Sequence, residues 1–384
     1  MKKRVAVCIC CIAMLCTLFR VQSPVMAQDV SAEGNTQREA GSEESAETVS
    51  TDRVLSNGLF SVTMPEDVEG LYEGIIEENK IVICDKKSRE EKAGGQVFEI
   101  SAEKTPMEYT RNPSLKKYGE LTSGDGAVYD MTLSRPTDVR YTPVNGGKPE
   151  SYSRLQEKAQ QVMDSIASAD GGSYSAGAGM KGEDLYQDVL KKYVTAVTER
   201  WNAARLEEEE MSPAYELIGK IYGEAALDHI YYAYTDLTGE GVEELLIGEI
   251  RGEDRKLAAY DIYTIDDHKP FHSLSGWNEN WYYAGELYLI NVYKGVNDEE
   301  YWSVQDEDYT ITNSKANGFS NGFDTFVIDR SKNEDQPWFI SGYNGSWQNV
   351  TQEEYEEKFN RSVKLKELES RPLSELSAGQ KTGQ

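Results

Sequence analysis

Histidine, cysteine and basic residues are all scarce in this chain, and each shortage removes a class of function. Three histidines and five cysteines among 384 residues leave little for transition-metal or nucleophilic chemistry. Four of the cysteines (Cys8, Cys10, Cys11 and Cys16) crowd into the first sixteen residues, so the rest of the chain carries Cys84 alone and no disulfide framework can be read from it. Lys and Arg number 40 against 67 Asp and Glu, a net charge of −27. Phosphate backbones and anionic lipid surfaces are repelled by such a chain, which argues against nucleic acid and membrane as partners. No nucleophile elbow, phosphate-binding Walker loop or dinucleotide fingerprint occurs, and with so many acids no particular carboxylate pair can be singled out as a glycosidase site.

The one long apolar run, Val5 to Phe19, sits at the very start. Lys2, Lys3 and Arg4 precede it and Val25-Met26-Ala27 follows, the three parts of a secretory signal with cleavage expected after Ala27. The run is too short for a transmembrane helix, which needs roughly 20 apolar residues. A secreted, extracellular or cell-wall-associated protein is therefore expected, with no membrane attachment once residues 1–27 are gone.

Composition then divides the remainder. Residues 28–52 are rich in Ser, Glu, Ala, Thr and Gly, a disordered acidic tether that cannot bury enough surface to offset its ordering entropy. Residues 169–182 (ADGGSYSAGAGMKG) read as a Gly/Ser-rich linker, and residues 367–384 as a disordered tail. Between them lie two domains, 53–168 and 183–366. The fold class expected is α+β, each domain an antiparallel sheet packed with one or more helices.

In the first domain, short β-type runs cover 59–64, 71–77, 80–84, 96–102, 118–122 and 127–133, with Gly124-Asp125-Gly126 as a hairpin turn between the last two. A helix follows from Ser153 as N-cap, Leu155, Ala159, Val162, Met163 and Ile166 forming its apolar face. The second domain opens with an amphipathic helix in which Leu185, Val189, Tyr193, Val197 and Trp201 recur every four residues, ending in the charge of Glu207–Glu210. Strands are expected at 230–235, 244–250, 257–265, 286–294, 301–305, 323–329 and 338–343. Thr351 and Glu354 make a capping box for a last helix.

The segment with most chemical content is Asp236-Leu-Thr-Gly-Glu-Gly-Val-Glu-Glu-Leu-Leu-Ile-Gly248. Side-chain oxygens fall on alternate positions, Asp236, Thr238, Glu240 and, further on, Glu244. Gly241 permits a sharp turn and Val242 can offer its carbonyl. Such spacing wraps oxygens around a single centre, as a hard cation requires, here between strands rather than between the helices of an EF-hand.

These thirteen residues resemble the calcium loop of FG-GAP repeats and the DxDGDGxxEL loop of uncharacterised secreted two-domain proteins of Gram-positive bacteria, to which the two-domain layout and Arg135-Pro136-Thr137-Asp138 are also similar. The resemblance implies calcium as cofactor and no particular activity. Thr238 and Glu240 depart from the usual Asp or Asn, which implies a degenerate site of weak affinity, on the order of 10⁻⁴ to 10⁻³ M as in extracellular modules.

The other candidates are fewer. Cys84 ends an apolar strand and reads as a small buried hydrophobe. His268 and His272 are split by Pro270 in strand-like surroundings, which argues against a zinc site. Trp277, Trp281, Tyr283 and Trp302 belong to a dense aromatic band that would suit a glycan or protein ligand, although ordinary sheet packing is the better account, since the alternation shows no clean exposed stripe. The reading is of a secreted, non-catalytic binding or surface-associated protein with an unknown protein or glycan partner. Its alternative is an extracellular hydrolase of glycans or peptides.

Overall fold

The computed structural model describes residues 48–104, 115–252, 254–266, 268–276, 279–285, 288–294, 300–306, 310–312, 315–317, 322–342 and 346–380. The expected signal segment and nearly all of the expected tether lie outside the described residues. Antiparallel sheets with helices on their faces confirm the α+β class.

The first sheet has seven strands, in the spatial order Thr48–Ser50, Tyr72–Ile76, Lys80–Asp85, Gln96–Glu103, Val128–Ser134, Leu115–Thr122 and Ser173–Ala176. Alternation along these strands buries Ile81, Ile83, Phe98, Ile100, Leu121, Met131 and Leu133 on the inner face. Leu155, Ala159, Val162, Met163 and Ile166 close over that core, as their spacing predicts. Their helix begins at Glu150 after Pro149, not at Ser153, and is split at Lys158. Pro149 caps the helix one residue before Glu150, so the expected N-cap at Ser153 falls inside a helix already under way.

Among the described residues the second sheet has 11 strands. Its central strand, Lys256–Asp266, pairs on one side with Glu244–Arg251 and on the other with both Lys269–Ser275 and Glu279–Gly285. Helices Gln187–Thr198, Ala203–Glu208 and Ala214–Tyr222 bury Tyr186, Leu190, Tyr193, Val197, Leu206 and Tyr215 in a second core. The buried stripe is thus Tyr186–Leu190–Tyr193–Val197, one position on from the expected Leu185 and Val189, which are only partly buried. Nor does that helix run on to Glu210. It stops at Thr198, and Arg200 takes a left-handed φ of 56°.

Parts of the expected tether, linker and tail are ordered: Thr48–Ser50, at the end of the tether, pairs with Tyr72–Ile76. Within 169–182, Ser173–Ala176 adds an edge strand to the first sheet by pairing with Leu115–Thr122. Its side chains are exposed except Tyr174, which packs against the first core and donates its hydroxyl to the Tyr118 carbonyl, too little apolar content for a hydrophobic pattern to show. Within 367–384, Arg371 and Pro372 pair with Tyr232 and Tyr231, Leu373 is fully buried, and a helix starts at Ser374. Glu47–Gln384 forms one compact unit, within which the first core draws on residues 55–166 and the second on residues 186–373. No helix among the described residues is long and apolar enough to cross a membrane.

Candidate functional site

The loop 236–244 lies between the paired strands Tyr231–Thr235 and Glu244–Arg251, with Thr235 opposite Glu244. Gly239 and Gly241 take φ of 78° and 95°, values that other residues reach only under strain, and these close the turn. Asp236 fixes it from within: Oδ1 accepts the Gly239 N–H at 2.7 Å and Oδ2 the Gly241 N–H at 2.8 Å. Val242 is buried in the second core.

Glu244 is placed differently from expectation. Its side chain is fully buried, where Oε2 accepts the Leu237 N–H at 2.6 Å and Oε1 lies 3.4 Å from the Thr264 hydroxyl. Its carboxylate therefore braces the loop backbone. Among the described residues, the group of metal-capable side chains whose ligand atoms all lie within 4.8 Å of one another is Glu120, Asp130 and His268, so Asp236, Glu240 and Glu244 do not converge that closely. The reason is the register: Glu244 is the first residue of a strand buried on both faces, and its carboxylate is held by the loop and the neighbouring strand.

Glu240 is 8% exposed. Burial and the adjacent Asp236 carboxylate push its carboxyl up to about 8; Asp130 acts in the same direction, Thr238 and Lys117 against it. Two hydroxyls complete the surroundings. Thr238 Oγ1 is buried and forms no well-shaped hydrogen bond, though it is near enough to Glu240 to draw the carboxyl down. Tyr186 Oη is fully buried without a hydrogen-bond partner; burial raises its pKa well above the ordinary phenol value, and Glu244 and Glu240 add to the effect. A buried hydroxyl left unpaired costs about 1–3 kcal/mol, and one beside the Glu240 carboxylate leaves room for a further polar partner. The donor set around Glu240 is all oxygen, as calcium requires.

The loop also docks on the first sheet. Lys117 N–H donates to the Glu240 carbonyl at 2.8 Å, and the Glu243 N–H to the Met180 carbonyl at 2.9 Å. Beside this contact Lys117 is buried, its Nζ 2.8 Å from Asp130 Oδ1, 3.2 Å from Glu120 Oε1 and 3.1 Å from the Gly179 carbonyl. His268 reaches across from the second sheet to place Nε2 3.1 Å from the same Asp130 oxygen. Sequence reasoning missed Lys117, Glu120 and Asp130, because nothing local relates them to a loop more than a hundred residues away. The Glu120–Asp130–His268 trio already encloses the Lys117 ammonium, which supplies the positive charge there.

The aromatic band divides. Trp281 is 3% exposed and packs with Leu237, Leu246 and Leu289, so it serves the core and not a ligand surface. Tyr283 is half-buried against the same cluster. Trp277 and the side chain of Trp302 lie outside the described residues. Cys84 is buried at the end of its strand. His272 pairs with a second buried acid, Asp261, and not with His268.

Comparison of the chain with protein-family models, curated proteins and solved structures gave no match.

Proposed function

We propose that this is an exported, non-catalytic binding or surface-associated protein in which a calcium ion at the 236–244 loop braces the junction of the two sheets. The observation that carries the reading is the buried Thr238 Oγ1, without a well-shaped hydrogen bond beside the buried Glu240 carboxylate, in a turn already tightened by Asp236. Asp236, Thr238, Glu240 and the Val242 carbonyl would hold the ion, with Glu244 shaping the loop behind them. A cation there would balance two neighbouring carboxylates and satisfy an oxygen that now lacks a partner. The partner on this reading is a protein or a glycan.

A ligand that binds the native state alone stabilises it by mass action. Thermal unfolding of the protein in millimolar calcium is therefore expected several degrees above that in chelator, an increment that Asp236→Ala abolishes. Superimposable melting curves in calcium and in chelator would remove the reading.

A further inference from the structure

The buried ion pair beside the loop contact holds the reactants of a condensation. Lys117 lies on strand Leu115–Thr122 and Asp130 on its neighbour Val128–Ser134, with side chains 2% and 4% exposed. Each charge taken out of water carries a desolvation penalty that the attraction between them offsets only in part. A register shift between Lys117 and Gly119 decides which side chains meet. Lys117 faces Thr132 and Glu120 faces Asp130, and Thr132 and Asp130, two positions apart, share one side of their strand. The bulge therefore puts Lys117 and Glu120 on that same side, although they are three positions apart and a regular strand would turn them to opposite faces.

Nζ of Lys117 thus lies 2.8 Å from Asp130 Oδ1 and 3.2 Å from Glu120 Oε1, and donates to the Gly179 carbonyl at 3.1 Å. Gly179 closes over the group so tightly that a Cβ there would collide with both Nζ and Glu120 Oε1, and its φ of 68° is also one that suits glycine. His268 Nε2 is 3.1 Å from the same Asp130 oxygen. An amine, a carboxyl carbon and a second carboxyl are held together with bulk water kept out. Glu120 and His268 are only partly buried, which leaves a way out for a small molecule. Groups fixed in this way react as if at an effective concentration of about 10⁵–10⁸ M.

We propose that Lys117 and Asp130 condense to an intramolecular amide, with Glu120 as the catalytic residue that relays protons. The bond from Nζ to the Asp130 carboxyl carbon forms and the bond from that carbon to Oδ1 breaks. Glu120, whose carboxylate oxygen lies within 4.8 Å of that of Asp130, takes two protons in turn from Nζ and passes them to Oδ1, which departs as water. Ammonium and carboxylate become a neutral amide and water, so the step balances without oxidant, reductant or co-reactant. His268 holds the leaving oxygen by its hydrogen bond. Cancelling two buried charges favours the product, and the amide N–H keeps the Gly179 carbonyl as its acceptor. The ion pair is the state of the freshly folded chain, and the bond its mature form, tying two neighbouring strands where the loop 236–244 docks. The inference goes beyond the binding role and uses none of the residues assigned to calcium.

The test is the intact mass of the denatured, purified protein, followed with time at neutral pH. The matured wild type is expected one water lighter than its sequence, and protease digestion is expected to yield a branched peptide that joins Lys117 to Asp130 and carries the same deficit. Lys117→Arg keeps the positive charge and Asp130→Ala removes the carboxyl; each should hold the full mass. Glu120→Gln should fold, since that side chain is partly exposed, and should form the bond about a hundredfold or more slowly. A wild type that stays at full mass after several days overturns the proposal, whatever the variants do. So does a water deficit that maps to another residue, as a cyclised aspartate would give, or one that persists in Lys117→Arg. An unchanged rate in Glu120→Gln would overturn the role given to Glu120.

Discussion

Glu240 offers the most direct test of the loop's electrostatics, because its carboxyl responds to pH in a direction opposite to that of most acids. Its folded-state pKa is raised, from an ordinary 4.5 to about 8. Between those values the native protein holds a proton on Glu240 that the unfolded chain releases, so stability falls as pH rises. At about 1.4 kcal/mol per pH unit the full interval amounts to about 5 kcal/mol, and about 3–5 kcal/mol once Asp236 carries part of the response. Glu240→Gln keeps the shape and removes the ionisation. In chelator, urea unfolding followed by tryptophan fluorescence from pH 5 to pH 8.5 should show the wild type losing stability relative to Glu240→Gln by this amount. The divergence should be steepest between pH 5 and 8 and level off above. Other titrating groups are common to both proteins and cancel in the difference. Millimolar calcium should flatten the wild-type profile, because the ionised carboxylate becomes a ligand, and leave that of Glu240→Gln nearly unchanged. Parallel profiles in chelator would refute the account of Glu240 as a carboxyl crowded by Asp236 in a dry turn.

Two further outcomes follow from the same geometry. Lys117→Met withdraws the ammonium that lies 2.8 Å from buried Asp130 and 3.2 Å from Glu120, and chemical unfolding should show a loss of about 3–5 kcal/mol, the range for breaking one side of a buried ion pair. Adding Asp130→Asn should restore part of that loss; no recovery would argue that Lys117 acts through packing instead. Thr351→Ala removes the hydroxyl that accepts the Glu354 N–H in the capping box of helix Gln352–Ser362, and should cost about 1 kcal/mol in the same assay.

What could be read from the chain, and what could not, divides along the reach of the physical signal. Strands with one or both faces buried announced themselves: Lys80–Asp85, Gln96–Glu103, Glu244–Arg251 and Lys256–Asp266 fall within about a residue of expectation. So did Glu300–Asp306, Gly322–Ile328 and Trp338–Gly342, and the Thr351 cap. Strands with few buried side chains did not. Ser173–Ala176 is exposed but for Tyr174, and Lys269–Ser275 begins with Lys-Pro and is nowhere fully buried, so neither carries a period-two pattern strong enough to read. Glu279–Gly285 was absorbed into an aromatic band whose Trp281 turned out to be core. At the site, Asp236, Thr238, Glu240 and Gly241 were legible because a turn is local. The inward turn of Glu244, and the partnerships of His268 with Asp130 and of His272 with Asp261, depend on register across strands far apart in sequence, which spacing cannot supply.

The distribution of apolar contacts explains why charge is concentrated where the loop meets the first sheet. The core of residues 55–166 and the core of residues 186–373 are separate clusters with no member in common. No disulfide can join them, since Cys84 is the only cysteine beyond residue 16. Polar contacts cross between them: the Lys117 N–H to the Glu240 carbonyl, the Glu243 N–H to Met180, and His268 on the Asp130–Lys117 pair. Hydrophobic burial is indifferent to pH and to ions at this level, whereas a polar contact of this kind is set by which of its carboxylates carry a proton or a counter-ion. A cation at Glu240 would therefore act less on either core than on the coupling between them.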